Sequence, residues 1–196
     1  MKALELREAN TDPIICDLPP PIRQAGEALI RVEYAALNRR DVWIRRGQYP
    51  GIELPIVLGS DGAGTVCETD DDHQHWLGRE VVIYPGRDWG PDERFQSPDY
   101  RILGLPDQGT FAEYVSVPIS CLREKPSHLT SAEAAALPLA GLTAWRALVT
   151  RGRLKENERV LVTGIGGGVA QFAATFTHAL GGQLAVTSGH QEKLSK

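Results

Sequence analysis

Apolar and polar residues alternate along Glu27–Leu37 (EALIRVEYAAL), the spacing of a half-buried strand whose side chains point to opposite faces in turn. Shorter runs of β-forming residues occur at 2–6, Gly64–Thr69, Arg79–Tyr84 and Thr110–Val117. Pro19-Pro20-Pro21, Pro50-Gly51, Pro85-Gly86 and Gly90-Pro91 lie between them and predict turns and loops. One short helix is predicted over Asn38–Arg46, closed by Gly47. Residues 1–126 therefore predict a β-rich module with long loops.

The pattern changes in residues 127–196. Thr130-Ser131-Ala132-Glu133 has the form of a capping box, in which the threonine hydroxyl and the glutamate carboxylate each satisfy the other's backbone amide. It opens the apolar run AAALPLAGLTAWRALV, with Pro138 predicted to break the helix and Gly152 to close it. RVLVTG then reads as a parallel strand, VAQFAATFTHAL as a helix ended by Gly181-Gly182, and QLAVT as a second strand. The expected fold class is α/β with a β-rich part, ending in the first βαβ unit of a doubly wound sheet. A complete domain of that kind has about six strands in two halves. The chain is therefore expected to stop partway through it, as a fragment, a truncated product or a short form that acts only as a binding or dimer partner.

Composition narrows the class. With 42% hydrophobic and 23% charged residues, 20 glycines and 13 prolines, the chain is an ordinary globular one, rich in turns. A net charge of −4 leaves no basic footprint for nucleic acid. No run approaches the ~20 apolar residues of a membrane span, and the charged start MKALELREANTD is not a secretory signal. Cys16, Cys67 and Cys121 are odd in number and far apart, so free thiols and a cytoplasmic location are expected.

The chemistry concentrates at Thr163-Gly164-Ile165-Gly166-Gly167-Gly168-Val169-Ala170, between a predicted strand and a predicted helix. Glycines there let the backbone approach a pyrophosphate, and the helix start offers free N–H groups and partial positive charge. Gly164, Gly166, Gly167, Gly168 and Val169 are the candidate cofactor-binding residues. The register is open: Gly164-x-Gly166-x-x-Val169 lacks the last glycine, whereas Ile165-x-Gly167-x-x-Ala170 ends on a small residue. At the end of the second strand, where an acid would hold a ribose 2′-hydroxyl, stands Ser188, followed by Lys193. A hydroxyl and an ammonium favour a 2′-phosphate, and so NADP(H).

Several segments together resemble the medium-chain dehydrogenase/reductase superfamily, in its quinone oxidoreductase (zeta-crystallin-like) branch. They are Ala36-Leu37-Asn38-Arg39-Arg40-Asp41, Arg46-Gly47-x-Tyr49-Pro50, Leu58-Gly59-Ser60-Asp61-Gly62-Ala63-Gly64, Gly109-Thr110-Phe111-Ala112-Glu113-Tyr114 and Pro138-Leu139-Ala140-Gly141-Leu142-Thr143-Ala144. The resemblance implies a GroES-like N-terminal module (1–126), an incomplete Rossmann domain (127–196), a small-molecule substrate and a homodimeric full-length form. It also implies that Thr143 lies near the nicotinamide ring.

Zinc-dependent members carry Cys where this chain has Asn38 and Gly-His-Glu where it has Gly59-Ser60-Asp61, and the loop Arg87–Leu105 has none of the cysteines of their structural zinc lobe. Amide and hydroxyl groups are not ordinary zinc ligands, so no zinc is expected. The carboxylates and imidazoles of Asp70–His75 are expected to form a polar loop. The implied activity is NADPH-dependent reduction of a quinone, enone or enoyl group. Tyr49 is the hydrogen-bond donor to the developing oxyanion, Asn38 a second donor or water-positioning group, and Asp41 either its support or a helix cap. An alcohol or aldehyde dehydrogenase-like activity is the alternative.

Overall fold

In the computed structural model, which describes residues 1–193, one compact unit ends at Pro138 and a second begins at Leu139. The first opens with β1 (Lys2–Leu6), β2 (Ile14–Asp17), β3 (Glu27–Ala36), helix α1 (Arg39–Arg45), β4 (Ile56–Val57), β5 (Asp61–Glu68) and β6 (Glu80–Ile83). It continues through β7 (Gly86–Arg87), β8 (Arg101–Leu103), β9 (Pro106–Asp107), β10 (Tyr114–Pro118), β11 (Leu122–Glu124) and helix α2 (Ser131–Ala135). Five antiparallel strands pair in the order β10-β3-β5-β6-β11. A smaller sheet, β2-β1-β4, and a third, β7-β8-β9, complete the unit.

The period-2 pattern places one set of side chains inside. Ile30, Val66, Val81, Ile83, Val117 and Leu122, each at most 1% exposed, share one core. Burying a side chain of this size contributes about 1.5–3 kcal/mol. On the opposite face Ala63 and Val82 meet Ala134 and Ala135 of α2, whose small side chains let the helix lie close to the sheet. The predicted capping box at Thr130 and Glu133 opens α2. A separate cluster of Leu6, Ile44, Ile56, Leu58 and Leu105 seats α1.

Four predicted strands and the helix at 39–45 form within a few residues of their expected bounds. The run Thr110–Val117 differs, because only Tyr114–Pro118 is strand. Thr110 and Phe111 instead donate their amides to the Gly59 and Leu58 carbonyls, at 2.9 and 3.0 Å. Strand β2 leaves no clear mark in the sequence because its side chains alternate weakly and are mostly exposed. The cysteine-free lobe between β7 and β9 is held by Asp107, which accepts from Arg87 Nε at 2.8 Å and Arg101 Nε at 2.8 Å. Trp89 adds an edge contact with Tyr100, its ring centroid 4.9 Å away.

The second unit carries α3 (Pro138–Trp145), β12 (Arg159–Val162), α4 (Gly168–Ala179) and β13 (Gln183–Val186). Proline stands at the first position of α3, where its missing N–H is harmless. The helix runs on as a π-helical turn over Arg146–Arg151 and ends at Gly152. Gly152 keeps a right-handed backbone at φ −73, and the left-handed step falls on Arg153 at φ 53. The predicted closing residue is correct in place but not in conformation: a Cβ there would lie 2.7 Å from the Leu148 oxygen. β12 and β13 pair in parallel, Val160 opposite Leu184, with α4 between them in sequence: the predicted βαβ unit. Phe172 and Phe176 of α4 stack at 5.8 Å, and Trp145 meets Phe176 edge-on at 5.4 Å.

Candidate functional site

Helix α1 positions the first group of candidates. Asn38 occupies its N-cap in extended conformation, and the Asp41 carboxylate accepts the Asn38 backbone N–H at 2.8 Å. Asp41 thus takes the capping role. Its Oδ2 is used in that way, while its buried Oδ1 makes no hydrogen bond of normal geometry among the described residues. Burial pushes the Asp41 carboxyl above its ordinary range, against the opposing pull of the Asn38 amide, the neighbouring Arg40 charge and the Gly59 amide.

The shift has a definite sign. A carboxyl whose folded pKa is raised holds its proton more tightly folded than unfolded, so its contribution is most favourable below the ordinary value and is lost as pH rises through the raised one. Asp41→Asn keeps an oxygen for the cap and removes that loss. Relative to the parent, its stability is expected to improve as pH climbs from about 4 to about 7, the range above an ordinary aspartate pKa. Urea titrations of both proteins across this range check the point; a difference that stays flat or reverses would refute it.

The Asn38 side chain faces the start of β5: its Nδ2 donates to Asp61 Oδ2 at 2.8 Å. Asp61 is 1% exposed and Ser60 fully buried. The Ser60 hydroxyl donates to the Leu103 carbonyl at 2.8 Å and accepts from Arg40 Nη1 at 3.0 Å. The structure therefore brings Asn38 to the adjacent pair Ser60-Asp61, which lies well beyond it in sequence.

Arg40 is the residue that motif reading passed over. It is buried, and its guanidinium donates to the Leu103 and Leu105 carbonyls at 2.9 and 2.6 Å, to Ser60, and to the Tyr49 hydroxyl at 3.3 Å. The guanidinium carbon also lies 4.9 Å from the centre of the Tyr49 ring. Tyr49 packs beside the cluster around Ile44. Its oxygen accepts from Arg40, and among the described residues its own O–H proton has no acceptor.

The other candidates lie in the second unit. Gly164 adopts φ +69, a left-handed backbone natural to glycine. The Gly164 and Ile165 amides both donate to the Thr187 carbonyl, at 3.0 and 3.1 Å, tying the turn to the end of β13. Gly167 is the N-cap of α4. The amides that follow, on Gly168, Val169 and Ala170, have no partner within a helix by its geometry. Gly168 approaches α3 closely: a Cβ there would meet the Ala140 Cβ at 3.4 Å. Gly166 lies in the turn between Gly164 and Gly167.

Ser188 accepts the His190 amide at 3.0 Å through its hydroxyl. Lys193 closes a short 3-10 turn, and its side chain lies outside the described residues. Thr143 donates back to the Leu139 carbonyl at 2.7 Å, a bond within its own helix. In the Asp70–His75 segment, Asp70 is tied to the Gly26 amide and to Arg23, which hold its carboxyl below the usual range. Among the described residues no group of three or more His, Cys, Asp or Glu is placed to hold a metal, and no helix is long and apolar enough to cross a membrane.

Residues 24–127 match the alcohol dehydrogenase GroES-like domain. The chain is 42% identical over 189 residues to the zinc-type alcohol dehydrogenase-like protein YogA of Leptosphaeria maculans, covering 90% of this chain and 52% of the relative. A crystal structure of an NAD-dependent alcohol dehydrogenase superposes with TM-score 0.90 at 38% identity, over 100% of this chain and 60% of the other. The quinone oxidoreductase of Thermus thermophilus, solved also with NADPH, gives TM-score 0.77 at 29% identity, over 98% of this chain and 55% of its own. The chain thus spans about half the length of the curated relatives it matches. With a GroES-like module leading into a partial α/β domain, the chain belongs to the medium-chain dehydrogenase/reductase superfamily.

Proposed function

We propose that the whole protein is a zinc-independent oxidoreductase that uses NADPH to reduce a quinone or an activated alkene of the enone or enoyl type. The observation that carries this reading is the donor set at the positions where zinc-dependent members hold their metal. Asn38 spends its amide N–H on Asp61, and the Ser60 hydroxyl lies between the Leu103 carbonyl and the Arg40 cation. An amide, a hydroxyl and a guanidinium make a poor nest for Zn²⁺, which takes thiolate, imidazole and carboxylate. Polarisation of a substrate oxygen then falls to a hydrogen-bond donor, and the Tyr49 O–H is available for it.

In this reading NADPH, when bound, supplies the hydride. Gly164, Gly166, Gly167, Gly168 and Val169 would hold its pyrophosphate through backbone amides, with Ser188 and Lys193 toward the 2′-phosphate and Thr143 toward the nicotinamide. As charge builds on the quinone or enolate oxygen, Tyr49 donates to it. Asn38 keeps the floor of the site in place through Asp61. The full-length protein would be a cytoplasmic homodimer.

The names of YogA and the NAD-dependent alcohol dehydrogenase favour a second reading, oxidation of an alcohol with NAD⁺ at a zinc centre. The two separate in one set of assays. NADPH oxidation with a simple quinone or enone is expected, with no stoichiometric zinc by elemental analysis, and Tyr49→Phe is expected to lower kcat about 100-fold, the usual cost of a lost oxyanion donor. Alcohol oxidation with bound zinc, or an unchanged kcat in Tyr49→Phe, would overturn the proposal. For the 196-residue chain alone, NADPH at a hundred times its Kd is expected to add about 2.7 kcal/mol of stability. No thermal shift would mean that this chain is only a binding or dimer-partner form.

A further inference from the structure

Arg40 is hard to explain as a framework residue alone. A buried cation is costly unless its donors are satisfied, and an apolar side chain of similar volume would often serve stability as well or better. All four of its hydrogen bonds go to neutral acceptors, Ser60, Leu103, Leu105 and Tyr49. None of these four acceptors is a carboxylate; the neighbouring Asp41 carboxyl feels the charge only across space, without a hydrogen bond to the guanidinium. Three of these bonds fix the guanidinium against the Leu103–Leu105 turn and Ser60, just ahead of β5, and the fourth, from Nε, reaches the Tyr49 oxygen. The Tyr49 ring, 4.9 Å from the guanidinium carbon, is held against the same group.

A phenol hydroxyl can accept and donate. With its oxygen already accepting from Arg40, the remaining O–H is left to act as a donor to something else. We propose that Arg40 is the positioning residue of Tyr49: it fixes the hydroxyl as a donor and supplies, through it, a permanent positive charge beside Ser60, which stands where zinc-dependent members of the superfamily carry a histidine. This deepens the reading of Tyr49 given above and rests on it for its catalytic meaning. No covalent step is involved; Arg40 keeps its proton and its charge throughout.

Two measurements test it, one of them independent of turnover. In the 15N–1H spectrum of the chain, the buried Arg40 Nε–H is expected to be visible, and Tyr49→Phe, which leaves the arginine and its other three bonds in place, is expected to shift it. An unshifted resonance in a folded Tyr49→Phe protein would refute the proposal, and this arm needs no substitution at Arg40 itself. In the kinetic arm, Arg40→Gln is expected to lower kcat about 10-fold or more with KM changed less than about 3-fold, since it removes stabilisation made mainly in the transition state. In a Tyr49→Phe background the same change is expected to cost less than about 3-fold, because residues acting as a unit are not additive. Losses that multiply would assign Arg40 a merely structural role and overturn the inference. Arg40→Lys, which keeps the charge but not the planar fork, is expected to recover part of the loss. If no quinone or enone is turned over, the functional reading fails while the resonance shift still decides whether Arg40 holds Tyr49.

Discussion

Gly109→Ala is expected to destabilise the first unit by about 3–5 kcal/mol, among the largest effects a single methyl produces. A Cβ at this position would lie 2.3 Å from the Gly59 oxygen and 2.3 Å from the Leu58 oxygen. Neither obstacle is the end of a flexible side chain. The Gly59 carbonyl accepts the Thr110 amide at 2.9 Å, the Leu58 carbonyl accepts the Phe111 amide at 3.0 Å, and Gly109 itself donates to Val57 at 2.8 Å. Relief of the clash requires these three bonds to part together. Ordinary overpacking costs about 1–3 kcal/mol because side chains move aside; here the backbone must. With total stabilities of about 5–15 kcal/mol, the variant would sit near the edge of folding. Gly189→Ala is the control, since nothing lies within 4 Å of its Cβ, and it is expected to stay within about 0.5 kcal/mol of the parent. Denaturant unfolding of both would expose an error: a Gly109→Ala midpoint close to that of the control contradicts the interlocked backbone.

That interlock also shows what a reader of the sequence can and cannot see. The Gly-rich stretches 58–64 and 109–114 stand out as motifs, but nothing in their spacing says that they touch. Their glycines serve contacts between segments about 50 residues apart, and such pairing is set by topology rather than by local pattern. By contrast β1, β3, α1 and the βαβ unit are legible, because apolar periodicity and capping chemistry are local signals. In the candidate site, Asn38 and Tyr49 are readable from motif position. Arg40 is harder, since a polar residue at a helix start is normally solvated. A signal was nonetheless present: Arg40 stands four residues before Ile44, so both lie on one face of α1, and the face that buries Ile44 must also bury the arginine. The lobe at 87–107 was readable only as a loop without cysteines, because salt bridges such as Arg87–Asp107 leave no spacing rule behind.

The same helix face leads to the second large effect. Ile44→Ala is expected to cost about 2–5 kcal/mol, the range for truncating a fully buried aliphatic side chain. Ile44 has no exposed surface and fills the space among Leu6, Ile56, Leu58 and Leu105. Helix α1 has seven residues, far fewer than the roughly 12–15 at which an isolated helix begins to hold itself, so tertiary contacts must supply its order. Besides Ile44, its main anchors are Arg40, bonded to the Leu103 and Leu105 carbonyls, and Asp41 at the cap. A cavity under Ile44 therefore loosens the element that carries Asn38, Arg40 and Asp41 together, and disturbs Tyr49, which packs against the same cluster. Ile44→Val, which removes one methylene, is expected to cost only about 0.5–1.5 kcal/mol. Trp43→Ala, at a neighbouring position that is 37% exposed, is expected to cost less than Ile44→Ala despite deleting more atoms, because most solvent-facing groups add little. Hydrogen exchange should report the Ile44→Ala change first at the α1 amides and only then across the five-stranded sheet, since elements held by few contacts open before the core. Should the α1 amides remain as protected as the sheet in that variant, the polar anchors at Arg40 and Asp41 hold the helix without the apolar one, and the order of the anchors is reversed.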